Sequence, residues 1–349
     1  MAHLLSGGVD SSVALSLLKE AGHDVTAFYL KVWLEDELSY LGECPWEEDL
    51  EIAHTVCEKL GVPLEVRSLQ KPYWDRVVCY TIEELQAGRT PSPDIFCNQR
   101  IKFGAFFDEI DESFERVASG HYARLQRDDD GSVRLRKGVD PVKDQTYFLS
   151  HLFQSQVRRA MFPIGDLTKE QVRALAAQLD LPNQARRDSQ GICFLGKIKY
   201  SEFVRHHLGE REGDIVERAT GKVLGRHQGY WFHTVGQRQG LGLSHGPWYV
   251  HAKDIENNII YVAHADELDD SSTDDYTVEK LHWICGSPVR DDLEVKVRHG
   301  RSLFAAHVEI DDASARVRLD CKEPGIAPGQ FTVFYDGDVC LGGATIRGD

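Results

Sequence analysis

The stretch that decides the fold is Leu4-Leu5-Ser6-Gly7-Gly8-Val9-Asp10-Ser11-Ser12, "LLSGGVDSS", close to the start of a 349-residue chain. His3 to Leu5 read as the end of a buried strand. The residues that follow, "VALSLLKEAG", place Val13, Ala14, Leu17, Leu18 and Ala21 at helical spacing, with Gly22 where a helix would stop. The two glycines therefore sit on a strand-to-helix turn. Such a turn exposes backbone N–H groups, and the helix behind it adds unpaired amides and the positive end of its dipole. Ser6, Ser11 and Ser12 supply further donors, so phosphate oxygens are the expected guest. A plain helix N-cap would account for the serines alone. The turn lacks the lysine that reaches the terminal phosphates in phosphate-transferring loops, which suits it to holding pyrophosphate as a leaving group.

Working outward, strands and helices alternate. "DVTAFYLKVW" reads as a strand, "PWEEDLEIAHTVCEKLG" as a helix ending at Gly61, "VPLEVRSL" as a strand and "KPYWDRVVCYTIEELQAG" as a helix. "RTPSPDIFCN" reads as an extended loop stiffened by Pro91 and Pro93, followed by a helix over "RIKFGAFFDEIDES" and a strand in "RVASGHYARL" that ends in a loop. This order predicts an α/β fold with a doubly wound parallel sheet, ligands lying at the C-terminal ends of its strands. "LTKEQVRALAAQLDLPN" is an amphipathic helix with Thr168 and Gln171 spaced as a capping box. After Tyr200 strand and turn signals dominate. "HADELDDSSTDDY" reads as an acidic linker, and from about Val278 short alternating runs predict a small antiparallel β-barrel. The expected domains are 1–199, catalytic; 200–265, connecting; and 276–349, the barrel.

Hydrophobic residues make up 42% of the chain and no apolar run is long enough to span a membrane. The net charge of −16 argues against a nucleic-acid partner at first sight. Its distribution softens that: residues 183–250 carry +4 with five histidines and the rest of the chain carries −20, which a local basic surface or an ordinary mixed surface would equally explain. Eight cysteines occur, none in a C-x-x-C pair, so no zinc ribbon is indicated and reduced thiols are expected. Most read as small core residues. Cys97 and Cys193 stand apart: Asp94 lies three residues before Cys97, and Cys193 follows Arg186 and Arg187 in the glycine-flanked "RRDSQGICFLG", where positive charge would favour the thiolate.

The opening motif resembles the SGGxDS signature of the ATP pyrophosphatases, which adenylate a substrate and release pyrophosphate. "GRTPSPDIFCN", "IKFGAFF", "SGHYA", "KDQTYFLS", "DSQGICFLG", "HTVGQRQGLGL" and "PGQFTVFYDGDVCLGG", in that order along nearly the whole chain, make it resemble the tRNA-specific 2-thiouridylases. The resemblance implies an enzyme that uses ATP with Mg to adenylate O2 of the wobble uridine in a tRNA anticodon stem-loop and replaces it with sulfur. It implies ATP binding by Leu5, Ser6, Gly7, Gly8, Val9, Asp10, Ser11 and Ser12, with Leu30 at the adenine and Gly120 nearby. Ser92, Pro93 and Asp94 would face the target base, and His121, Lys143, Asp144, Gln145, Arg298, His299 and Gln330 would contact tRNA. Ser92 and His299 stand where the family more often has Asn and Tyr.

In that reading Cys193 carries a persulfide received from a sulfur-donor protein, a cysteine desulfurase or a relay. Cys97 either resolves the persulfide or engages the substrate directly, and Asp94 is the general acid/base. An iron–sulfur cluster on Asp94, Cys97 and Cys193 is the less favoured alternative, and no other metal is specified. Two rival readings are another adenylating enzyme acting on a different RNA base or a small metabolite, and an RNA-binding protein without catalysis. A monomer is expected. "TAFYLKVW", "CPWEEDL" and "GKIKYSEF" look most like plastid-type forms. With the clipped start, they imply a plastid stroma or mitochondrial matrix and a transit peptide absent from this chain, a bacterial-type cytoplasm being the alternative.

Overall fold

The structure, a computed structural model, describes residues 1–32, 46–187, 199–267 and 273–348. The opening run forms β1 (Ala2–Leu4), and the helix after the glycines is α1 (Val9–Glu20). β2 (Thr26–Lys31), α2 (Trp46–Leu60) and β3 (Leu64–Ser68) follow as the alternation predicts. A long helix α3 (residues 70–86) and a second, α4 (residues 93–109), precede β4 (Val117–Ser119). The strands pair in parallel in the order β3-β2-β1-β4-β7, the last being Ala160–Met161. Apolar stripes bury α1 and α2 on one face through Leu15, Leu18, Ala53 and Val56, while Phe28, Phe103 and Phe106 fill the other.

In this order the chain winds one way from β1 through β2 to β3 and the other way through β4. The switch point lies between β1 and β4, where such sheets leave a crevice beyond the carboxyl ends of the strands. The glycine turn emerges from β1 at that crevice, and Gly120 follows the last residue of β4.

Two features of the first 199 residues depart from the sequence reading. The segment after β4 does not end in a loop. It forms a hairpin, β5 (Ala123–Arg127) and β6 (Val133–Lys137), which leaves the parallel sheet. The extended loop stops at Ser92, and helix α4 begins at Pro93. Proline suits a first helical position because its missing N–H would be unpaired there in any case.

The chain continues through α5 (Thr146–Leu149), α6 (Gln154–Arg159) and α7 (Lys169–Gln178). The expected capping box closes α7: Thr168 N donates to Gln171 Oε1 at 2.8 Å, and Gln171 N to Thr168 Oγ1 at 3.3 Å. Next, α8 (Tyr200–Leu208) inserts Phe203 and Val204 into the core shared by α3 and α4. The middle of the chain is a small sheet ordered β10-β11-β8-β9, made from Gly213–Glu217, Val223–His227, Trp248–Asp254 and Ile259–His264 as β8 to β11.

From Thr273 six antiparallel strands close into a barrel: β12 (Thr273–Trp283), β13 (Asp292–Lys296), β14 (Phe304–Asp311), β15 (Ser314–Glu323), β16 (Phe331–Asp336) and β17 (Val339–Ile346). The ring runs β12-β15-β14-β13-β16-β17 and closes by pairing β17 with β12. β12 starts inside the stretch read as a linker because Asp275 has a cross-strand partner: Arg316 Nη2 donates to its carboxylate at 2.6 Å. The early hairpin joins this barrel through β6 and β17, Cys340 lying opposite Leu135, and Arg136 Nε donates to Asp338 Oδ2 at 2.9 Å.

Candidate active site

Gly7 has φ of +73°, and a Cβ there would lie 2.6 Å from the Asp49 carbonyl oxygen, so the turn requires glycine on both counts. The serines tie the turn to the first turn of α1. Ser11 Oγ and Ser12 Oγ each donate to Gly8 O at 3.0 Å, and Ser6 Oγ lies 3.2 Å from Ser11 Oγ. Ser6 is exposed and Gly8 is half-buried, whereas Leu5, Val9, Ser11 and Ser12 are buried. An anion approaching from the exposed Ser6 side would meet the Gly8 amide, the Ser6 hydroxyl and the amides at the start of α1. Leu30, at the carboxyl end of β2, is half-buried.

Gly120 packs against this helix start: a Cβ there would stand 2.7 Å from Ser11 N. Asp10 does not point into the cradle's open side unaccompanied. Lys169 Nζ donates to both of its carboxylate oxygens, at 2.7 and 2.9 Å, and Tyr122 Oη donates to Oδ1 at 2.8 Å. Beneath the turn, His3 Nε2 donates to Ser11 O at 2.8 Å. Burial lowers its pKa to about 4, so the ring is neutral. His121 is buried too, 2.7 Å from Ser119 Oγ, and burial, reinforced by Lys102, holds it well below the ordinary imidazole range.

Asp94 and Cys97 lie on α4, one turn apart on the same face. Residues so spaced hold their Cβ atoms about 5–6 Å apart, a separation at which a carboxyl group can exchange a proton with a thiol through water. Cys97 is buried and begins a π-helical stretch that runs to Ala105. Gln156 secures that wide turn, its Nε2 donating at 2.7 Å to both Gln99 O and Phe103 O. Such stretches are uncommon and recur at functional sites.

The loop leading into α4 is gripped by both other domains. Tyr230 Oη donates to Gln86 O at 2.6 Å, and Lys253 Nζ donates to Gly88 O at 2.9 Å. From the barrel side, Pro328 O accepts Thr90 N at 2.8 Å. Burial lowers the Lys253 pKa to about 8.

Most of the residues expected to meet RNA gather around α4. Asn98 Nδ2 donates to Phe148 O at 3.1 Å, and His299 stacks on the Phe148 ring with centroids 4.4 Å apart. Ser92 N donates to Tyr80 Oη at 3.3 Å, and Pro93 opens the helix. Gln145 Oε1 accepts Tyr122 N at 3.0 Å, which ties the "KDQ" turn to the "SGHY" turn. Lys143 is half-buried, its backbone N donating to Asp140 Oδ1 at 3.1 Å. Asp144 is buried and faces inward to Lys296 Nζ at 3.1 Å. Arg298 Nη2 donates to Glu323 Oε1 at 2.7 Å, and Gln330 Oε1 is buried without a hydrogen-bond partner among the described residues. Phe331, beside Gln330, meets the Phe96 ring edge-on at 5.6 Å.

Cys193 and Asp188 lie outside the described residues, as does Cys44. Cys57 and Cys340 are buried, as core thiols should be, and burial pushes the Cys57 thiol up to about 11. Most of the remaining cysteines were read as core residues; Cys79 is half-buried, and Cys285 and Cys321 are exposed.

Three families match in succession: the tRNA methyl transferase HUP domain over residues 1–197, the tRNA methyl transferase PRC-barrel domain over 201–264, and the aminomethyltransferase β-barrel domain over 273–346. The tRNA-specific 2-thiouridylase MnmA of Parabacteroides distasonis is 47% identical over 99% of this chain and 98% of its own length. The corresponding proteins of Bacteroides thetaiotaomicron (46%, 99% of each chain) and Porphyromonas gingivalis (45%, 99% and 98%) agree. The chain belongs to the tRNA-specific 2-thiouridylase family. These relatives are bacterial, and nothing in the comparison favours the plastid subtype.

Within this 2-thiouridylase fold the sequence reading missed the residues behind the cradle. The sequence places Arg186 where its charge would favour a Cys193 thiolate, and Cys193 lies outside the described residues. Arg186 Nη1 donates to Gly7 O at 3.1 Å and its Nη2 pairs with the Asp49 carboxylate. Asn183 Nδ2 also reaches Gly7 O, at 2.8 Å. No short-range signal in "LPNQARR" announces partners more than a hundred residues away.

Proposed function

We propose that this chain is a tRNA 2-thiouridylase that consumes ATP. The glycine turn holds the β and γ phosphates while O2 of a wobble uridine attacks the α phosphorus, releasing pyrophosphate and leaving AMP on O2. A base in an anticodon loop can be splayed out of its stack to reach such a pocket. Sulfur arrives as a persulfide on Cys193 from a donor protein. The Cys97 thiolate attacks Cys193 Sγ, forming a Cys97–Cys193 disulfide and expelling hydrosulfide, which adds to C2 and displaces AMP. A reductant then restores both thiols. Asp94 takes the Cys97 proton. Asp10, committed to Lys169 and Tyr122, does not fit as a magnesium ligand, so magnesium enters only as the counter-ion that ATP carries.

The observation that carries this reading is the placement of Asp94 and Cys97 on one helical face, beside a loop held by both other domains, in a chain whose parallel sheet has a glycine turn and a helix start at its switch point. Full-length relatedness to 2-thiouridylases supports it independently. No helix among the described residues is long and apolar enough to cross a membrane. Given bacterial relatives, a bacterial-type cytoplasm is the compartment we infer. The test is mass spectrometry of tRNA nucleosides after incubation with ATP and a sulfide source. Wobble 2-thiouridine should form with AMP and pyrophosphate in equal amounts. Pyrophosphate release without tRNA, driven by a small metabolite, would favour the other adenylating class.

A further inference from the structure

We infer that Asn183 and Arg186 are positioning residues that aim the phosphate cradle by holding the carbonyl of Gly7. This rests on the ATP reading of that turn. In a trans peptide the carbonyl and the following N–H point in opposite directions. Whatever fixes Gly7 C=O therefore fixes the direction of Gly8 N–H. Two donors converge on that carbonyl from the protein side, Asn183 Nδ2 at 2.8 Å and Arg186 Nη1 at 3.1 Å. Gly8 N–H faces the other way, toward the Ser6 hydroxyl at 3.4 Å on the exposed side of the turn. That bond is long, as expected for a donor whose better acceptor would be a phosphate oxygen.

The same two residues brace the turn elsewhere. Asn183 Nδ2 also donates to Ser12 Oγ at 2.9 Å, and Ser12 Oγ passes its own proton to Gly8 O at 3.0 Å. The orientation of the Asn183 amide is thus dictated by chemistry: both of its contacts are acceptors. Its Oδ1 is buried without a partner among the described residues, so the amide's hydrogen bonding here is made by its donor end. Arg186 pairs with the Asp49 carboxylate, and Asp49 O is the backbone atom that leaves no room for a Cβ on Gly7. From α7, Arg173 Nη1 holds the carbonyls of Gln184 and Arg186, at 3.1 and 2.5 Å, so the bracing segment is itself fixed.

Asn183→Asp is the decisive substitution, because it keeps the shape and replaces the donor with an acceptor aimed at Gly7 O. Arg186→Gln is the second variant, should the first fail to fold, and Arg186→Lys tests rescue. Initial rates of tRNA-dependent pyrophosphate release are read at varied ATP and at varied tRNA, with melting temperatures measured with and without ATP. Asn183→Asp and Arg186→Gln should each raise KM for ATP about tenfold or more, as expected for a lost or reversed buried hydrogen bond. KM for tRNA should stay near wild type, the ATP-induced rise in melting temperature should shrink, and Arg186→Lys should recover part of the loss. If wild type releases pyrophosphate but both variants keep its KM for ATP, the positioning role is wrong. If wild type itself neither binds ATP nor releases pyrophosphate, the ATP reading falls and this inference with it.

Discussion

Gly120→Ala should damage ATP use through space alone. Gly120 does not have a positive φ, so alanine meets no conformational objection there. Its Cβ would stand 2.7 Å from Ser11 N and 2.8 Å from both the Asp10 carbonyl carbon and Ser11 Cα, where ordinary contact begins at 3.4 Å. All three atoms are backbone in the first turn of α1 and cannot rotate aside. The start of α1 must therefore retreat from β4 by about 0.7 Å, the kind of overpacking that costs about 1–3 kcal/mol. For a domain of this size the melting midpoint should fall by about 2–12 °C. The same retreat moves the amides that would face the phosphates, and displacements approaching 1 Å can lower rates by about a hundredfold. A rise of about tenfold in KM for ATP is the expected outcome, read by pyrophosphate release beside differential scanning fluorimetry. Gly22→Ala is the control: Gly22 has φ of +79° and nothing within 4 Å of a Cβ, so it should lose stability and leave KM for ATP alone. If Gly120→Ala melts early yet keeps its KM, Gly120 is a packing residue and not part of an ATP site.

Cys193→Ser should bind ATP and tRNA but accept no sulfur, while Cys97→Ser should load sulfur on Cys193 and stall. Peptide mass spectrometry reads both, and full thiolation by either variant would sink the two-cysteine mechanism. Arg298→Gln should weaken tRNA binding several-fold at low salt and less at high salt, with KM for ATP unchanged; fluorescence anisotropy showing wild-type affinity would remove Arg298 from the interface. The buried His3 has its pKa lowered to about 4, so between pH 6.5 and 4 the unfolded chain binds a proton that the folded chain refuses. Stability should therefore fall as pH drops through that window, by on the order of 3 kcal/mol from this residue. His3→Gln should flatten the fall in denaturant midpoints between pH 7 and 4.5, and parallel curves would refute the assignment.

The turn at residues 4–12 was legible because everything that defines it is local: apolar strand, glycines, hydroxyls, helical stripe. The capping box of α7 was legible for the same reason. The hairpin of β5 and β6 carried a local signal, Asp130-Gly131 between alternating runs, which the strand-then-loop reading passed over. Its destination had no such signal, since its partners Val339 and Cys340 lie some two hundred residues on. The helical start at Pro93 was hidden by a residue with two meanings, a stiffener of extended chain and a favoured first helical residue. Around the cradle, serines and glycines could be read directly, but Asn183, Arg186 and Asp49 could not. Their importance lies in a carbonyl, and every residue has one.

The grip on the loop before α4 bears on why the proposed chemistry would draw on three domains. The carbonyls of Gln86 and Gly88 close α3, at the negative end of its dipole, and their donors come from the middle sheet. Lys253 is buried there although burial works against its charge, and its hydrogen bond to Gly88 O offsets part of that cost. Two residues later the barrel takes over through Pro328 O, and Gly329 is placed so that a Cβ would strike Thr90 N at 2.9 Å. The four residues before Pro93 are thus held from both sides by elements that the parallel sheet does not supply. The approach to Asp94 and Cys97 is therefore held by the middle sheet and the barrel as well as by contacts within the α/β domain. An RNA docked against the middle sheet and the barrel, as proposed above, would press on the elements that hold this loop, and would thereby couple substrate docking to the position of Asp94 and Cys97.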